Sequence, residues 1–347
     1  MKLRLVELSY EYKQQLFEMM DEWVSYNENH PNEDHAPWKI FKNDYHDFDE
    51  YLKEINCKEE IKGFVPDSTY FCLDEERNIF VGAINFRHYL NLKLLQDGGH
   101  LGDGVRPSER RKGVATEMIR LCLEKCKDYG LKRVMITCSS SNIGSKISII
   151  KNGGILESFF KDDERYWIEL DKYNFIEGEN IVLRKARLDD LDNILNNIWS
   201  KEDVFKMMLF KPTTIKDEAI DRLVRTTNFQ SCNYGYFIAK KDTNEAIGFC
   251  GIKEVQEGVY EECGICVTSI YQGKGYGKET LPLLLDLVFN KLNGKEFRYS
   301  LFKYNEKSRR LLRPYFFEFN KEYKIVRSWD NKEFISEEFI LTKENYH

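Results

Sequence analysis

The sequence predicts an α/β protein made of two similar domains in tandem, each built on a mixed, largely antiparallel sheet. Three observations lead to this fold class. The chain has 347 residues, which is enough for two domains of about 170 residues. A glycine-bearing loop before a helix occurs twice, and the segments around it also repeat. Strand-like alternation and helix-like spacing of apolar residues then follow in the same order in both halves.

The internal repeat is clearest around the two loops and the segments that follow them. RRKGVA at 110–115 corresponds to QGKGYG at 272–277, which lies 162 positions later. SNIGSKISII at 141–150 then corresponds to YNEKSRRLLR at 304–313. Because order, spacing and character agree, we interpret the chain as a tandem duplication.

The predicted domains span residues 1–174 and 175–347 and meet in the polar stretch DKYNFIEGEN. Each is expected to contain a strand, one or two helices, an antiparallel strand pair, the loop, a helix, a strand, a helix and two last strands. The predicted strands of the first domain are 2–8, 67–74, 78–88, 100–106, 132–138, 155–160 and 164–171. Its predicted helices are 9–25, 46–57, 115–129 and 143–152.

Periodicity supports the helix that follows the first loop and the strand after that helix. Spacings of three and four predict a buried helix face formed by Met118, Leu121, Cys122 and Cys126. Alternation predicts a strand through Val134, Ile136 and Cys138.

Composition narrows the class of protein. The net charge of −6 and the lack of a concentrated basic stretch argue against nucleic-acid binding. No apolar run approaches the ~18 residues of a membrane span, and the N-terminus does not resemble a signal peptide. Cys263 and Cys266 have CxxC spacing but lie in a predicted strand, where they point to opposite faces. We therefore expect a cytoplasmic protein with reduced thiols, no metal and no membrane contact.

The spacing of the glycines distinguishes three kinds of phosphate-binding loop. Neither loop has the Walker pattern GxxxxGK[ST], and the third glycine of QGKGYG is misplaced for the dinucleotide pattern GxGxxG. Both loops fit [QR]xxGx[GA] before a helix. Free N–H groups and the positive end of the helix dipole bind a pyrophosphate there, and small residues allow close approach. The predicted cofactor-binding residues are Arg110, Arg111, Lys112, Gly113, Val114, Ala115 and Thr116, and Gln272, Gly273, Lys274, Gly275, Tyr276, Gly277 and Lys278.

On these loops and the segments after them, both halves resemble the GNAT superfamily of acyl-CoA-dependent N-acyltransferases. The resemblance implies that each loop binds the pyrophosphate of acetyl-CoA, and that pantetheine lies between two splayed strands, beside Val105 and Val267. It also assigns Asn142 and Asn305, with Ser145 and Ser308, to an N-x-x-[SA] segment of the cofactor site. The second half resembles the branch that acetylates the N-termini of ribosomal proteins.

The resemblance also suggests catalytic residues. A carboxylate before the second loop, Glu262, is the expected base, and the alternative is an exposed strand carboxylate. His100 occupies the matching place in the first half, where it is either a base or a structural or substrate-contacting histidine. The family's tyrosine acid is replaced by Ile149 and Leu312. Ser145 and Ser308 are candidates to replace this tyrosine as the acid. Alternatively, the two serines only bind coenzyme A, and water supplies the proton.

Loop composition bears on the acceptor. In the family, the segment NENHPNEDHAPW at 27–38 lines the acceptor site, and its Glu28, Glu33, Asp34 and Trp38 suit a cationic amine. The matching segment of the second half, 200–212, is more apolar and basic, so different acceptors are expected.

The sequence thus predicts an N-acetyltransferase that transfers an acetyl group from acetyl-CoA to a primary amine of a small molecule or peptide N-terminus, by direct attack in a ternary complex. Two alternatives remain open: one half is catalytic and the other a structural or lid domain, or the chain is a non-catalytic acyl-CoA sensor. Either a monomer with an internal pseudo-dimer or a homodimer is expected.

Overall fold

A computed structural model describes residues 1–31, 37–61 and 63–346. The chain divides into two compact units, Met1–Asp171 and Lys172–His347. This division falls three residues before the boundary expected from the sequence, inside the same polar stretch.

The described part of the N-terminal unit contains seven strands and five α-helices. The strands are β1 (Leu3–Val6), β2 (Asp67–Asp74), β3 (Ile79–Arg87), β4 (Leu101–Val105), β5 (Arg133–Ser139), β6 (Gly154–Phe160) and β7 (Asp163–Glu169). The helices are α1 (Lys13–Asn29), α2 (Phe48–Glu54), α3 (Leu92–Gln96), α4 (Val114–Asp128) and α5 (Ile143–Lys151).

The described part of the C-terminal unit contains eight strands and five α-helices. The strands are β8 (Ile176–Glu177), β9 (Ile181–Arg184), β10 (Tyr234–Lys240), β11 (Ala246–Gln256), β12 (Val259–Val267), β13 (Glu296–Phe302), β14 (Glu318–Arg327) and β15 (Lys332–Thr342). The helices are α6 (Leu191–Ile194), α7 (Glu202–Phe205), α8 (Lys216–Cys232), α9 (Tyr276–Asp286) and α10 (Glu306–Leu312).

The two units arrange equivalent strands differently. The N-terminal unit has a four-stranded sheet of order β1-β2-β3-β4 and a separate three-stranded sheet of order β5-β7-β6. The C-terminal unit has one eight-stranded sheet of order β14-β15-β13-β12-β11-β10-β9-β8. Most neighbouring strands pair in antiparallel orientation, whereas β12 and β13 pair in parallel. The predicted mixed α/β fold is confirmed.

Alternating and helical apolar positions build the cores as predicted. Met118, Cys122 and Cys126 of α4 are fully buried, and Leu121 is partly buried against the same cluster. Val134 and Ile136 of β5 are buried in that cluster too. Burial of such side chains stabilises the fold by about 25 cal/mol for each Å² of apolar surface removed from water.

A short helix and a π-helical turn were not expected from the sequence. α3 is only five residues long, and the side chain of Asn91 caps it by accepting a hydrogen bond from the backbone N–H of Leu94. α9 contains Pro282 and passes into a π-helical turn at Leu287–Lys291.

Candidate active site

Both glycine loops end in a helix start of the same geometry. Gly113 has φ 83° and Gly275 has φ 93°, and each is the residue immediately before its helix, α4 or α9. A left-handed backbone of this kind favours glycine. A Cβ atom at either position would meet no atom of the described residues within 4 Å, so these residues leave space beside the backbone. Because no described side chain caps either helix start, its first N–H groups can bind an anion.

The first residue of each loop ties the loop to the preceding strand. Arg110 donates from Nε to the carbonyl oxygen of Val105 at 3.3 Å, and Gln272 donates from Nε2 to the carbonyl oxygen of Val267 at 3.0 Å. Val105 and Val267 are the last residues of β4 and β12. The arginine or glutamine of the motif therefore fixes the loop beside the strand end.

The basic residues of the two loops have different surroundings. In the first loop, Lys112 lies 3.1 Å from Glu109, which also forms a bidentate ion pair with Arg77. Hydrogen bonds from Arg77 and Lys112 lower the pKa of Glu109 to about 2. Lys112 is therefore partly neutralised by the protein itself.

In the second loop, the cations are not matched by such a carboxylate. Lys274 lies over the ring of Tyr271, and Lys278 in the first turn of α9 has no carboxylate partner among the described residues. Lys307, on α10, donates to the side-chain oxygen of Gln272 at 2.8 Å. The sequence reasoning missed Lys307, which places a further positive charge at this loop.

The remaining loop residues form the first turns of the two helices. Val114 is buried in the core, and Thr116 contacts Ser148 through their hydroxyl groups at 3.3 Å. Tyr276 packs against Tyr271. The left-handed position of Gly273 (φ 80°) is occupied in the first loop by Arg111 (φ 64°). Ala115 and Gly277 follow inside α4 and α9.

Each loop stands beside a gap between neighbouring strands. In the C-terminal unit, β12 and β13 pair in parallel only from Val259–Glu261 to Glu296–Arg298, and the described strands then diverge. In the N-terminal unit, β4 and β5 belong to different sheets. A gap of this kind exposes backbone groups that an extended ligand or a side chain can bond.

Glu262 lies in the gap of the C-terminal unit. Its carboxylate accepts hydrogen bonds from the backbone N–H groups of Gly264 on β12 and Ser300 on β13. Burial raises the pKa of Glu262 to about 7, the two hydrogen bonds oppose this rise, and the charge of Glu261 adds to it. A carboxylate that titrates near neutrality can accept a proton from an amine.

A β-bulge follows Glu262 directly. Cys250 and Ile252 of β11 oppose Ile265 and Glu262 of β12, so β12 contains one extra residue there, and Gly264 has φ 99°. A bulge redirects side chains and leaves the extra residue out of the ladder. Gly264 within a strand is the sequence feature that could have indicated it.

Tyr299, which the sequence reasoning missed, lies next to this carboxylate. Its hydroxyl group is 2.8 Å from the hydroxyl group of Ser308. Burial raises the pKa of Tyr299, and the charge of Glu262 raises it further. The phenol therefore keeps its proton at neutral pH and is a possible donor. Its partner Ser308 was predicted from the N-x-x-S pattern alone.

His100, at the place matching Glu262, has a different environment. It is fully buried, its Nδ1 accepts the backbone N–H of Met135 on β5 at 2.9 Å, and its Nε2 has no partner among the described residues. Burial and the charges of Arg133 and Arg87 lower the pKa of His100 to about 3. Because the imidazole of His100 is neutral and its acceptor nitrogen is already bonded, a structural role is favoured over the role of a base.

The paired asparagines cap equivalent helices. Asn142 accepts the backbone N–H of Ser145 at 3.1 Å, at the start of α5. Asn305 accepts the backbone N–H of Ser308 at 3.2 Å, at the start of α10. Each N-x-x-S pattern thus fixes the helix that follows the gap. The position in β5 that matches Tyr299 holds Ile136, so Ser145 lacks the corresponding phenol.

The expected acceptor segment of the N-terminal unit is only partly described. Glu28 and Trp38 are exposed, and Trp38 stacks on Phe64 with ring centroids 5.7 Å apart. Three further residues of the segment, Glu33, Asp34 and His35, lie outside the described residues.

In the C-terminal unit, the corresponding segment contributes to a cavity of about 700 Å³. Phe210 and Lys211 line one part of it, and Cys250 and Cys263, at the bulge, line another. The cavity therefore extends to the residue that follows Glu262.

The described parts of the chain contain neither a cluster of metal ligands nor a helix that could span a membrane. No group of three or more His, Cys, Asp and Glu side chains there is arranged to hold a metal ion. None of the helices described is both long and apolar enough to cross a membrane.

Comparison with known proteins gives matches in both units. Residues 18–146 match the family model "Acetyltransferase (GNAT) family", and residues 180–315 match "Acetyltransferase (GNAT) domain". The uncharacterized N-acetyltransferase p20 of Bacillus licheniformis is 32% identical over 118 residues. That alignment covers 33% of this chain and 66% of p20, just under two thirds of its length.

Solved structures resemble about half of the chain. A GNAT-family acetyltransferase from Bacillus anthracis is 18% identical to this chain and has a TM-score of 0.44. The match covers 49% of this chain and 99% of the Bacillus anthracis chain. Spermidine N-acetyltransferase from Vibrio cholerae, solved in complex with CoA and spermine, is 17% identical, with coverages of 48% and 98% and a TM-score of 0.42.

Proposed function

The chain belongs to the GNAT superfamily and contains two tandem GNAT domains, and on this premise we propose that its C-terminal unit transfers an acetyl group from acetyl-CoA to a primary amine. The observation that carries this proposal is the position of Glu262. Its carboxylate has a pKa near neutrality and lies in the strand gap that leads to the second glycine loop.

The residues of the second loop fit the pyrophosphate of acetyl-CoA. Gly273 and Gly275 leave open space beside the backbone, and the start of α9 has no side-chain cap among the described residues. Lys274, Lys278 and Lys307 add positive charge. When bound, acetyl-CoA supplies an activated acetyl thioester. The helix start and the three lysines orient it by its phosphates.

Glu262 and Tyr299 have the opposed proton roles that aminolysis of a thioester requires. A Glu262 Oε atom accepts the proton of the acceptor amine, since its pKa of about 7 leaves it partly ionised at neutral pH. Tyr299 Oη holds a proton and is linked to Ser308 Oγ at 2.8 Å. It is the group that we assign to protonation of the leaving sulfur.

The N-terminal unit lacks this pair of groups. His100 is neutral and buried, Ile136 stands at the place of Tyr299, and β3 and β4 pair from Gly82–Phe86 to Leu101–Val105 without a shift of register. We therefore assign turnover to the C-terminal unit and a structural or coenzyme-binding role to the N-terminal unit. This corresponds to the alternative in which one half is catalytic.

The direct test is thiol release from acetyl-CoA by the full-length chain with a panel of primary amines. We expect at least one amine to accelerate release and to be recovered in acetylated form by mass spectrometry. If coenzyme A binds and no amine accelerates release, the non-catalytic sensor replaces this proposal.

The assignment of Tyr299 gives a separate prediction. Tyr299→Phe should lower kcat about 100-fold or more, because general acid catalysis contributes at this scale. The KM for acetyl-CoA should stay within about twofold, since the phenyl ring and its packing remain. Steady-state kinetics with a fixed amine measures both values.

Tyr260→Phe is the matched control, because Tyr260 is also a buried tyrosine of the sheet and its hydroxyl group interacts with Glu254 instead. It should retain the kcat of the parent chain. Equal kcat values for Tyr299→Phe and Tyr260→Phe would remove Tyr299 as the proton donor.

A further inference from the structure

The cavity of the C-terminal unit has a position and lining that bear on the acceptor. It lies among α8, β10, β11 and β12, and its volume of about 700 Å³ is that of a small-molecule site. Aromatic side chains form much of its wall: Trp199, Phe210, Phe229, Tyr236, Phe237 and Phe249. Because it reaches Cys263 in the bulge, one end of the cavity lies beside the residue that follows Glu262.

One cationic side chain is held rigidly in this aromatic wall. The guanidinium group of Arg222 lies 4.5 Å from the ring centroid of Trp199 and 4.1 Å from that of Phe210. Its Nη1 donates to the carbonyl oxygen of Lys211 at 3.2 Å and to the hydroxyl group of Thr213 at 3.1 Å. Stacking and these two bonds fix the plane of the guanidinium group.

Among the described residues, the protein uses only one of the three nitrogens of Arg222 for hydrogen bonds. Nε and Nη2 have no hydrogen-bond partner among the described residues, and no described carboxylate forms an ion pair with the group. Burial and the nearby charge of Arg225 lower the pKa of Arg222 to about 10, so it remains charged at neutral pH. A desolvated cation without a counter-ion is stabilised when a ligand supplies the anion.

The remaining charges of the cavity do not cancel this positive potential. Arg225 lies one helical turn after Arg222 on α8 and also lines the cavity. Of the two lining carboxylates, Glu218 is 3.8 Å from Lys211, and Asp221 is exposed. Two arginines on one wall repel a polyamine and attract a carboxylate.

We propose that the acceptor of the C-terminal unit is an amine that also carries a carboxylate, with an apolar body between the two groups. The carboxylate binds Arg222 through Nε and Nη2, Arg225 adds attraction at the rim, and the aromatic wall contacts the apolar body. The amine then lies toward the bulge and Glu262. The inference rests on the proposed acetyltransferase function of this unit and names the class of its substrate.

The experiment compares matched molecules on the full-length chain. Phenylalanine, phenylalaninamide and phenethylamine share the amine and the ring, and only the first has a carboxylate. Initial rates of thiol release are measured with each across pH, so that different amine pKa values are taken into account. 3-Phenylpropionate and 3-phenylpropanamide serve as inhibitors that carry no amine.

We expect kcat/KM to be at least about 10-fold higher for phenylalanine than for either analogue, and 3-phenylpropionate to inhibit better than its amide by a similar factor. Arg222→Gln should remove both preferences by raising KM and Ki about 10- to 100-fold, while the KM for acetyl-CoA stays unchanged. Arg222→Lys keeps the charge and loses the planar fork, so it should be intermediate.

Lys216→Gln is the matched control, since Lys216 lies on the same helix α8, is paired with Asp192 at 2.9 Å and is not a lining residue of the cavity. It should keep the preference for the carboxylate. Thermal melting of every variant shows whether the fold is intact, and Arg222→Lys remains informative if Arg222→Gln unfolds.

Two results would overturn the inference and leave the acetyltransferase proposal standing. One is acetylation of phenethylamine or another amine without a carboxylate in preference to phenylalanine. The other is unchanged inhibition by 3-phenylpropionate after substitution of Arg222. If no amine at all accelerates thiol release, the acetyltransferase proposal itself fails, whereas inhibitor binding then still reports on Arg222 through ligand-induced shifts in melting temperature.

Discussion

Replacement of Glu262 by glutamine should reduce kcat about 100- to 1000-fold, because the amide retains the shape of the carboxylate but cannot take a proton. The KM for acetyl-CoA should change little, since the glycine loop and α9 are untouched. Glu261→Gln is the matched control: this neighbour lies in the same strand and forms a weak ion pair with Arg298 at 3.9 Å. It should keep most of the activity.

The pH profile gives the assignment a second readout. Glu262 acts as a base only when ionised, and its pKa is about 7. The kcat of the parent chain should therefore rise with pH through about 7 and then level off. The residual activity of Glu262→Gln should lack this inflection. A parent profile that is flat between pH 6 and 8 would contradict the role of Glu262.

The same carboxylate should lower the stability of the fold at alkaline pH. Its pKa rises from 4.5 in the unfolded chain to about 7 in the folded chain, so the folded state binds the proton more tightly. The stability contributed by this proton is complete below pH 4.5, declines as the pH rises to 7, and is absent above it.

Glu262→Gln should consequently melt at a higher temperature than the parent chain at pH 8, and at a similar temperature at pH 4.5. At about 1.4 kcal/mol for each pKa unit, and reduced because the side chain is partly accessible to solvent, the gain is about 2 kcal/mol. Calorimetry at the two pH values measures it. Equal melting temperatures at pH 8 would show that Glu262 is not destabilised by burial.

Replacement of Gly275 by valine should weaken coenzyme A binding at the second loop about 100-fold. A β-branched residue is strongly disfavoured at the φ of 93° that Gly275 adopts, and its side chain would occupy the open space beside the helix start. No atom lies within 4 Å of the new Cβ, so the core is not disturbed. Titration calorimetry with coenzyme A measures affinity and stoichiometry.

Gly113→Val makes the same change in the first loop, and Gly130→Val provides the control. Gly130 has φ 101° and also has open surroundings, but it lies at the other end of α4. At subsaturating acetyl-CoA, Gly275→Val should lower turnover about 100-fold, whereas Gly113→Val and Gly130→Val should retain it. Turnover that survives in Gly275→Val and is lost in Gly113→Val would place the active unit in the other half.

The sequence predicts most of the elements because their patterns are local. The predicted strand over 67–74 and the predicted helix over 143–152 are both observed within one residue. α3 was missed because a helix of five residues is too short to show a period.

The candidate site could be predicted only as far as its parts are close in the chain. Loop spacing identified Gly113 and Gly275, and the repeat aligned His100 with Glu262. Whether His100 or Glu262 is the neutral buried group depends on packing across the strand gap. Tyr299 and Ser308 meet through the packing of β13 against α10, and Arg222 appears in the sequence as an ordinary helical surface residue. Tertiary contacts decide these properties.

The two backbone hydrogen bonds of Glu262 connect chemistry to the width of the strand gap. The ionised carboxylate bridges Gly264 on β12 and Ser300 on β13, across the point where these strands have stopped pairing. In the reaction proposed above, proton uptake from the amine would remove the charge that strengthens both bonds. The bridge would then be strongest before the reaction and weakest just after it, so the proposed proton transfer would also weaken the contact across the strand gap.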